Sequence, residues 1–330
     1  MIGDTTADRN PHTVPYDDVA LAESVGRVAE ESFDLADDSE LSLAGLQNKL
    51  LLVETPDGWA RPAEGYASTH TLKVEDRRFD GLAAAEAACL SLGRAVGVTT
   101  VHAEATTIGG IPVVIVERFD RALGEGGEVR RIHQEDACQA LGVDPERMHV
   151  DAGGRPRRMG KYQVGGGPSF ADIAQLLDRF AADAVEEHCR LLALATFTVA
   201  IGNGDAHGKN VGLLHPTPDR IELAPAYDTV PTALWPTLAD RAAMFVNGRS
   251  LLSEVTGEDL VIEGAVKWGI LRIDEAEEIV GTALDALEAA VTDPARDLGK
   301  HPVIERLRGY VRSRVDQLRS SMWGGLSHRP

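Results

Sequence analysis

The sequence predicts an α+β protein in two lobes, a small mixed sheet followed by a mainly helical domain. Three observations lead there. Up to Val116 the chain reads as strands, one helix and strands again. Past Arg118 helical periodicity takes over, and the boundary falls at Glu117 to Arg121. At 330 residues, with 43% hydrophobic and 26% charged, the chain has an ordinary globular mix, which excludes a disordered or collagen-like protein.

The first forty residues (1–40) are acidic and turn-rich, with nine acidic residues and one basic, Arg27, between Asp17 and Glu40. Val19 to Val28 has the makings of a short helix, but the balance of charge favours a stretch that frays or awaits a partner. The N-terminal lobe then runs over 41–119. Lys49 to Thr55 reads as a strand, Pro56-Asp57-Gly58 as a turn, and Trp59 starts the return. Thr69 to Glu75 alternates like a half-buried strand. Leu82, Ala85, Cys89, Leu92 and Val96 recur at steps of 3 and 4 and mark one face of a helix that stops near Gly97. Val101 to Thr107 and Pro112 to Val116 form a hairpin around Gly109-Gly110.

The second lobe, 120–330, carries helical periodicity at Gln134 to Leu141, Phe170 to Phe180, Val185 to Ile201, Ile273 to Val291 and Val303 to Leu318. Two short β-like stretches, Val211 to Leu214 and Ile221 to Leu223, interrupt it. The longest near-apolar run, Leu191 to Gly202, is too short for a membrane span, which needs roughly 18 residues. The start has neither a basic region nor an apolar stretch and does not read as a signal peptide.

Acidic residues outnumber basic ones by 52 to 33, a formal charge of −19. Such a chain is repelled by phosphate backbones and anionic lipid, which argues against direct nucleic-acid or membrane binding. Three dispersed cysteines (Cys89, Cys138 and Cys189) have no metal-ligand spacing and fit free thiols in a reducing cytoplasm.

Chemistry concentrates in Gly202-Asn-Gly-Asp-Ala-His-Gly-Lys-Asn210, where a long apolar helix ends in a dense polar loop. Asp205 and Asn210 are five apart, and Asp228 follows the next hairpin. Phosphoryl transfer from ATP asks for this pattern: one carboxylate takes the proton of the attacking hydroxyl, and an amide oxygen with a second carboxylate holds Mg²⁺. A loop of turn formers capping the helix is the plainer reading. Three features of the first lobe favour the chemical one. A glycine loop, Ser42-Leu-Ala-Gly-Leu-Gln47, stands directly before a strand, where backbone N–H groups could cover phosphates. Lys73 sits among apolar neighbours mid-strand, either snorkelling from an edge or aimed at phosphate. Glu86 borders the apolar stripe of the following helix, thirteen residues on, where it could pair with Lys73. Together they read as an ATP-dependent kinase.

Six stretches in order, Ser42–Leu50, Val116–Arg121, Arg131–Gly142, Lys161-Tyr162, Gly202–Asn210 and Leu223–Asp228, resemble the signatures of the HipA family of bacterial serine/threonine kinase toxins. The resemblance implies a protein-kinase-like, HipA-like fold using ATP and Mg²⁺. It makes Ser42, Ala44, Gly45 and Gln47 the phosphate loop and Lys73 the phosphate lysine, paired with Glu86. Glu117 to Phe119 become the hinge whose backbone holds adenine. Asp205 becomes the base, with Asn210 and Asp228 as Mg²⁺ ligands and Ser42 an autophosphorylation site. His207 stands where protein kinases carry a catalytic-loop lysine, to touch the γ-phosphate or to brace the loop.

Fuller members carry a further N-terminal domain, so this chain resembles the short, HipT-like form, for which a small HipS-like protein can supply it. A HipB-like helix-turn-helix antitoxin, DNA contact only through that antitoxin, and an aminoacyl-tRNA synthetase as substrate are implied in the same way. A small-molecule hydroxyl kinase would use the same loop, and a non-catalytic, antitoxin-binding corepressor is the reading outside enzymes. His133, Glu135 and Asp136 match a family motif and begin a helix, as a capped start or as substrate contacts. The basic cluster Arg155, Arg157, Arg158 and Lys161 is a solvated loop or an attractor for an acidic surface or tRNA.

Overall fold

A computed structural model of the chain describes residues 11–34, 49–124, 128–150, 154, 156–217, 220–238 and 240–322. The first lobe is built from strand β1 (His12–Pro15), helix α1 (Asp18–Asp34), and strands β2 (Lys49–Thr55), β3 (Gly58–Ala63) and β4 (His70–Val74). Helix α2 (Leu82–Val96) and the hairpin β5 (Ala103–Ile108) and β6 (Ile111–Glu117) complete it. The six strands form one antiparallel sheet in the order β1-β3-β2-β4-β6-β5. Gly109 and Gly110 both take positive φ, 58° and 80°, as a two-residue hairpin turn requires.

Within the acidic N-terminal segment, expected to fray or await a partner, residues 11–34 form a strand and a helix, and the rest of 1–40 lies outside the described residues. β1 pairs with β3, and α1 lays Leu21, Val25, Val28 and Ala29 on the sheet against Leu52, Leu72, Val74, Val113 and Ile115. Those four α1 positions follow a helical i, i+4, i+7, i+8 stripe, and Asp17, Asp18, Glu23 and Glu30 remain on the exposed side. The acid count describes only one face of an amphipathic helix. The expected phosphate loop, Ser42 with Ala44, Gly45 and Gln47, lies outside the described residues.

The second lobe adds the hairpin β7 (Arg121–Leu123) and β8 (Val129–Arg131), strand β9 (His133–Asp136) and the single turn α3 (Ala137–Ala140). After a hairpin of β10 (Met148–Val150) and β11 (Pro156–Arg158) come α4 (Phe170–Phe180) and α5 (Ala184–Ile201). Then follow β12 (Gly212–Thr217), β13 (Arg220–Leu223), the hairpin β14 (Arg241–Val246) and β15 (Arg249–Leu251), α6 (Gly257–Ile262), α7 (Ile273–Thr292) and α8 (Pro302–Ser320). The helix expected over Gln134 to Leu141 is corrected: 133–136 is a strand that pairs with β12, and Asp136 caps a helix of one turn. Strand pairing with β12, remote in sequence, overrides the local helical pattern. His133 and Glu135 therefore do not begin a helix.

One core joins the lobes. Leu82, Ala85, Cys89 and Leu92 of α2 are buried with Phe170, Leu191, Leu192, Phe197, Leu284 and Leu307 of the helical lobe. The other side of α2, through Ala83 and Leu90, packs on Val114 and Val116 of the sheet. Among the described residues no helix is long and apolar enough to cross a membrane.

Candidate active site

Lys73 lies on β4, an interior strand of the sheet, paired in register with Lys49 of β2 and Val114 of β6. It is no edge lysine. Its ammonium donates to Glu86 Oε1 at 2.5 Å and to Asp228 Oδ1 at 2.6 Å, and all three groups are buried or nearly so. Burial works against the charge on Lys73, but Asp228 and Glu86 outweigh it and hold its pKa above the ordinary value. Burial also pushes up the Glu86 carboxyl, which Lys73 only partly offsets. For Asp228, burial again raises the pKa, yet Lys73 and Lys49 together bring it below the carboxylate range. Asp228 has a left-handed backbone, φ 53°, a conformation that costs most non-glycine residues about 1–2 kcal/mol. Its short polar side chain and the bond to Lys73 hold it there.

The loop facing Lys73 is pinned by hydrogen bonds between its backbone and polar side chains of the loop and its neighbours. α5 ends at Gly202, φ 73°, where an added Cβ would come within 2.6 Å of the Tyr310 hydroxyl and 2.8 Å of Ala233. Asn203 Oδ1 accepts from the Asp205 N–H at 3.0 Å, and the Gly204 N–H donates to Thr232 Oγ1 at 2.7 Å. Asn210 Nδ2 donates to the Asp205 carbonyl at 2.9 Å, which leaves its amide oxygen as the group offered to the cleft. The Asp205 carboxylate is buried and accepts from the Tyr162 hydroxyl at 2.6 Å. Tyr162 occurs in a quoted signature, but nothing in its spacing revealed this role.

Between these walls lies a cleft of about 310 Å³ lined by Lys73, Glu117, Phe119, His207, Asn210 and Asp228, together with Lys49, Gln134, Lys161 and Tyr227. Phe119 stacks on Tyr227 with ring centroids 5.1 Å apart, closing one end with flat apolar surface. The Glu117 and Arg118 N–H groups already donate to the His102 and Thr69 carbonyls, so neither is offered to a ligand. Two buried acceptors, Glu86 Oε2 and Gln134 Oε1, have no hydrogen-bond partner among the described residues. A larger cavity of about 600 Å³, between α2, β5 and 297–301, contains none of Lys73, Asp205, Asn210 or Asp228. Chemistry, not volume, places the site.

Lys161 belongs to this cleft, its ammonium 5.3 Å from the centre of the Tyr162 ring. Of the other basic residues noted near it, Arg158 pairs with Glu146 at 2.9 Å. Arg155 and the side chain of Arg157 lie outside the described residues.

His207 is 1% exposed, edge-on to Tyr162, with Nε2 at 3.8 Å from the Asp205 carboxylate. Burial, with Lys161 second, lowers its pKa from 6.5 to about 3, so the imidazole is neutral at physiological pH. A folded state that resists charging His207 loses stability as the pH falls from the unfolded value, 6.5, toward 3. At about 1.4 kcal/mol per pH unit, His207 contributes roughly 2 kcal/mol of the loss between pH 7 and pH 5. Denaturant melts at the two pH values should show this loss reduced in His207→Gln. Equal pH dependence in both proteins would mean that His207 titrates normally.

The two lobes and the cleft between them define a protein of the kinase-like class. Residues 41–291 match the family described as HipA-like C-terminal domain, and the chain belongs to that family of HipA-like kinases. "Putative kinase Y4mE" of Sinorhizobium fredii is 36% identical over 265 residues, 78% of this chain and 60% of that protein. "Serine/threonine-protein kinase toxin HipA" of Shewanella oneidensis is 30% identical over 208 residues, 63% of this chain and 47% of that protein. The chain thus spans about half the length of these curated relatives. The fold is that of a chain in the complex of Shewanella oneidensis MR-1 HipA, HipB and operator DNA: TM-score 0.78, 23% identity, covering 97% of this chain and 74% of that one.

Proposed function

We propose that this protein is an ATP- and Mg²⁺-dependent serine/threonine protein kinase and the toxin of a toxin–antitoxin pair. The observation that carries the reading is the buried Glu86–Lys73–Asp228 chain, with Lys73, Asp228, His207 and Asn210 lining one cleft and Asp205 buried behind them, its carbonyl bonded to Asn210. Lys73, held upright by Glu86, binds phosphate oxygens. Phe119 and Tyr227, stacked on each other, offer the flat apolar wall against which the adenine lies, and the Phe119 backbone serves as the hinge contact. Asp205 accepts the proton of the attacking hydroxyl, and Tyr162 holds its carboxylate in place until the substrate arrives. His207, neutral and enclosed, braces the loop. The Asn210 amide oxygen and the Asp228 carboxylate are hard oxygen donors that suit Mg²⁺, whose bound charge would neutralise developing negative charge on the phosphates.

The HipA–HipB–operator complex supports an antitoxin partner, and the other partners rest on the family resemblance alone. A HipB-like antitoxin would bind this chain and carry it to operator DNA, consistent with the chain's own negative charge. A HipS-like protein would supply a further small domain. The substrate would be an aminoacyl-tRNA synthetase in the cytoplasm.

Ser42 in the phosphate loop would take phosphate from the enzyme's own ATP. A phosphoserine carries about −1.5 to −2 charges and would repel bound phosphates, which uncovers the nucleotide and inactivates the toxin. Incubation with MgATP should add about 80 Da per chain at Ser42, the mass of one phosphoryl group of this three-oxygen kind. Labelled ATP with cell lysate should mark a protein band and no small molecule, and Asp205→Asn should abolish both signals. Labelling of a small hydroxyl compound alone would refute the protein-kinase assignment. An active enzyme whose Ser42 stays unmodified would refute the self-regulation.

A further inference from the structure

Strand β9 uses its two faces differently. Gln134 lines the cleft, while its neighbours His133 and Glu135 emerge on the opposite face, as strand alternation requires. On the partner strand β12, His215 stands directly across from His133. His215 Nε2 and Glu135 Oε2 are 3.0 Å apart, and the two imidazole rings are centred 4.8 Å from each other. One ligand atom from each of the three residues lies within 4.8 Å of the other two.

We propose that His133, Glu135 and His215 form a binding site for a zinc-class divalent ion, separate from the Mg²⁺ position in the cleft. Two imidazoles with one carboxylate select borderline transition metals over Mg²⁺ or Ca²⁺, which prefer all-oxygen sets. Ligand atoms at about 2.0–2.2 Å from a tetrahedral zinc ion lie roughly 3.3 Å apart. Glu135 and His215, hydrogen-bonded at 3.0 Å, need part only slightly to reach that spacing, and His133, which is exposed and can turn, closes the set. Three protein ligands leave one position to water. The ion clasps two strands joined by a connection of some eighty residues. One of them holds Gln134 in the cleft, and the other leaves the loop that ends at Asn210. The clasp would therefore stiffen the floor of the nucleotide site without entering it.

Equilibrium dialysis of the full chain against Zn²⁺, free of affinity tags and in excess Mg²⁺, tests the site. One zinc ion per chain is expected, and its binding should raise the melting temperature by mass action. His215→Gln and His133→Gln should each weaken binding at least about tenfold, the loss that even outer-shell partners cause. His12→Gln, on the exposed edge strand β1, should change nothing. The His133 variant removes an exposed side chain and so remains informative if the His215 variant is unstable. Failure of the wild-type chain to retain zinc, displacement by Mg²⁺, or equal retention by all three variants would overturn the proposal. Kinase activity need not be present for any of these readings.

Discussion

Asp205→Asn is expected to lower phosphoryl transfer by about 10²–10⁴-fold, the usual worth of a general base, while nucleotide binds almost as well as before. The amide cannot take up the hydroxyl proton. It does fill the same volume, and its oxygen can still accept from Tyr162. Lys73, Asn210 and Asp228, proposed to hold MgATP, touch other atoms. Turnover and nucleotide affinity should be measured on the same preparation. A variant that keeps most of its activity removes Asp205 from the mechanism, and one that loses nucleotide affinity equally makes it a binding group.

Asp228→Ala should behave differently and lose the metal-dependent part of nucleotide affinity together with turnover, because it deletes the charged carboxylate proposed to bind Mg²⁺. The substitution also places alanine at φ 53° and removes one of the two carboxylates on Lys73. Asp228→Asn separates these effects, since asparagine tolerates the left-handed backbone and cancels only the charge. Both variants should bind ATP equally with and without Mg²⁺. An undiminished gain from Mg²⁺ in Asp228→Asn would show that this side chain is no ligand.

The sheet, the long helices and the elements bearing Lys73, Glu86 and Asp205 were legible because local periodicity there agrees with the tertiary environment. Phe170–Phe180 has the expected bounds, and α2 runs from Leu82 to Val96 on the stripe the apolar spacing marks. Two failures have physical causes. In α1, the charge balance carries more weight in the sequence than the helix offered over Val19 to Val28, because the sheet that buries its apolar stripe, from Leu52 to Ile115, is remote in sequence. At His133 to Asp136, a strand whose partner begins at Gly212 resembles the first turn of the short helix that follows it. Within the cleft, spacing could pair Lys73 with Glu86 because thirteen residues link them, but their 2.5 Å contact with Lys73 also bound to Asp228 needed the fold. Tyr162 and Gln134 left no signal of their role, because neither carries a charge or a spacing that ties it to the loop.

The shared core around α2 has a consequence for control. In an enzyme whose lysine-bearing lobe is only lightly attached, swinging the glutamate helix outward uncouples the ion pair and acts as a clutch. Here Leu82, Ala85, Cys89 and Leu92 are sealed into the helical lobe, and withdrawing the two leucines alone would cost about 1.5–3 kcal/mol each. That burial resists withdrawal of α2 and favours the engaged Lys73–Glu86 pair. If the chain acts as proposed, a toxin without that clutch would be armed as soon as it folds, and its restraint would have to come from something that covers the cleft, alters the proposed phosphate loop or sequesters the whole chain.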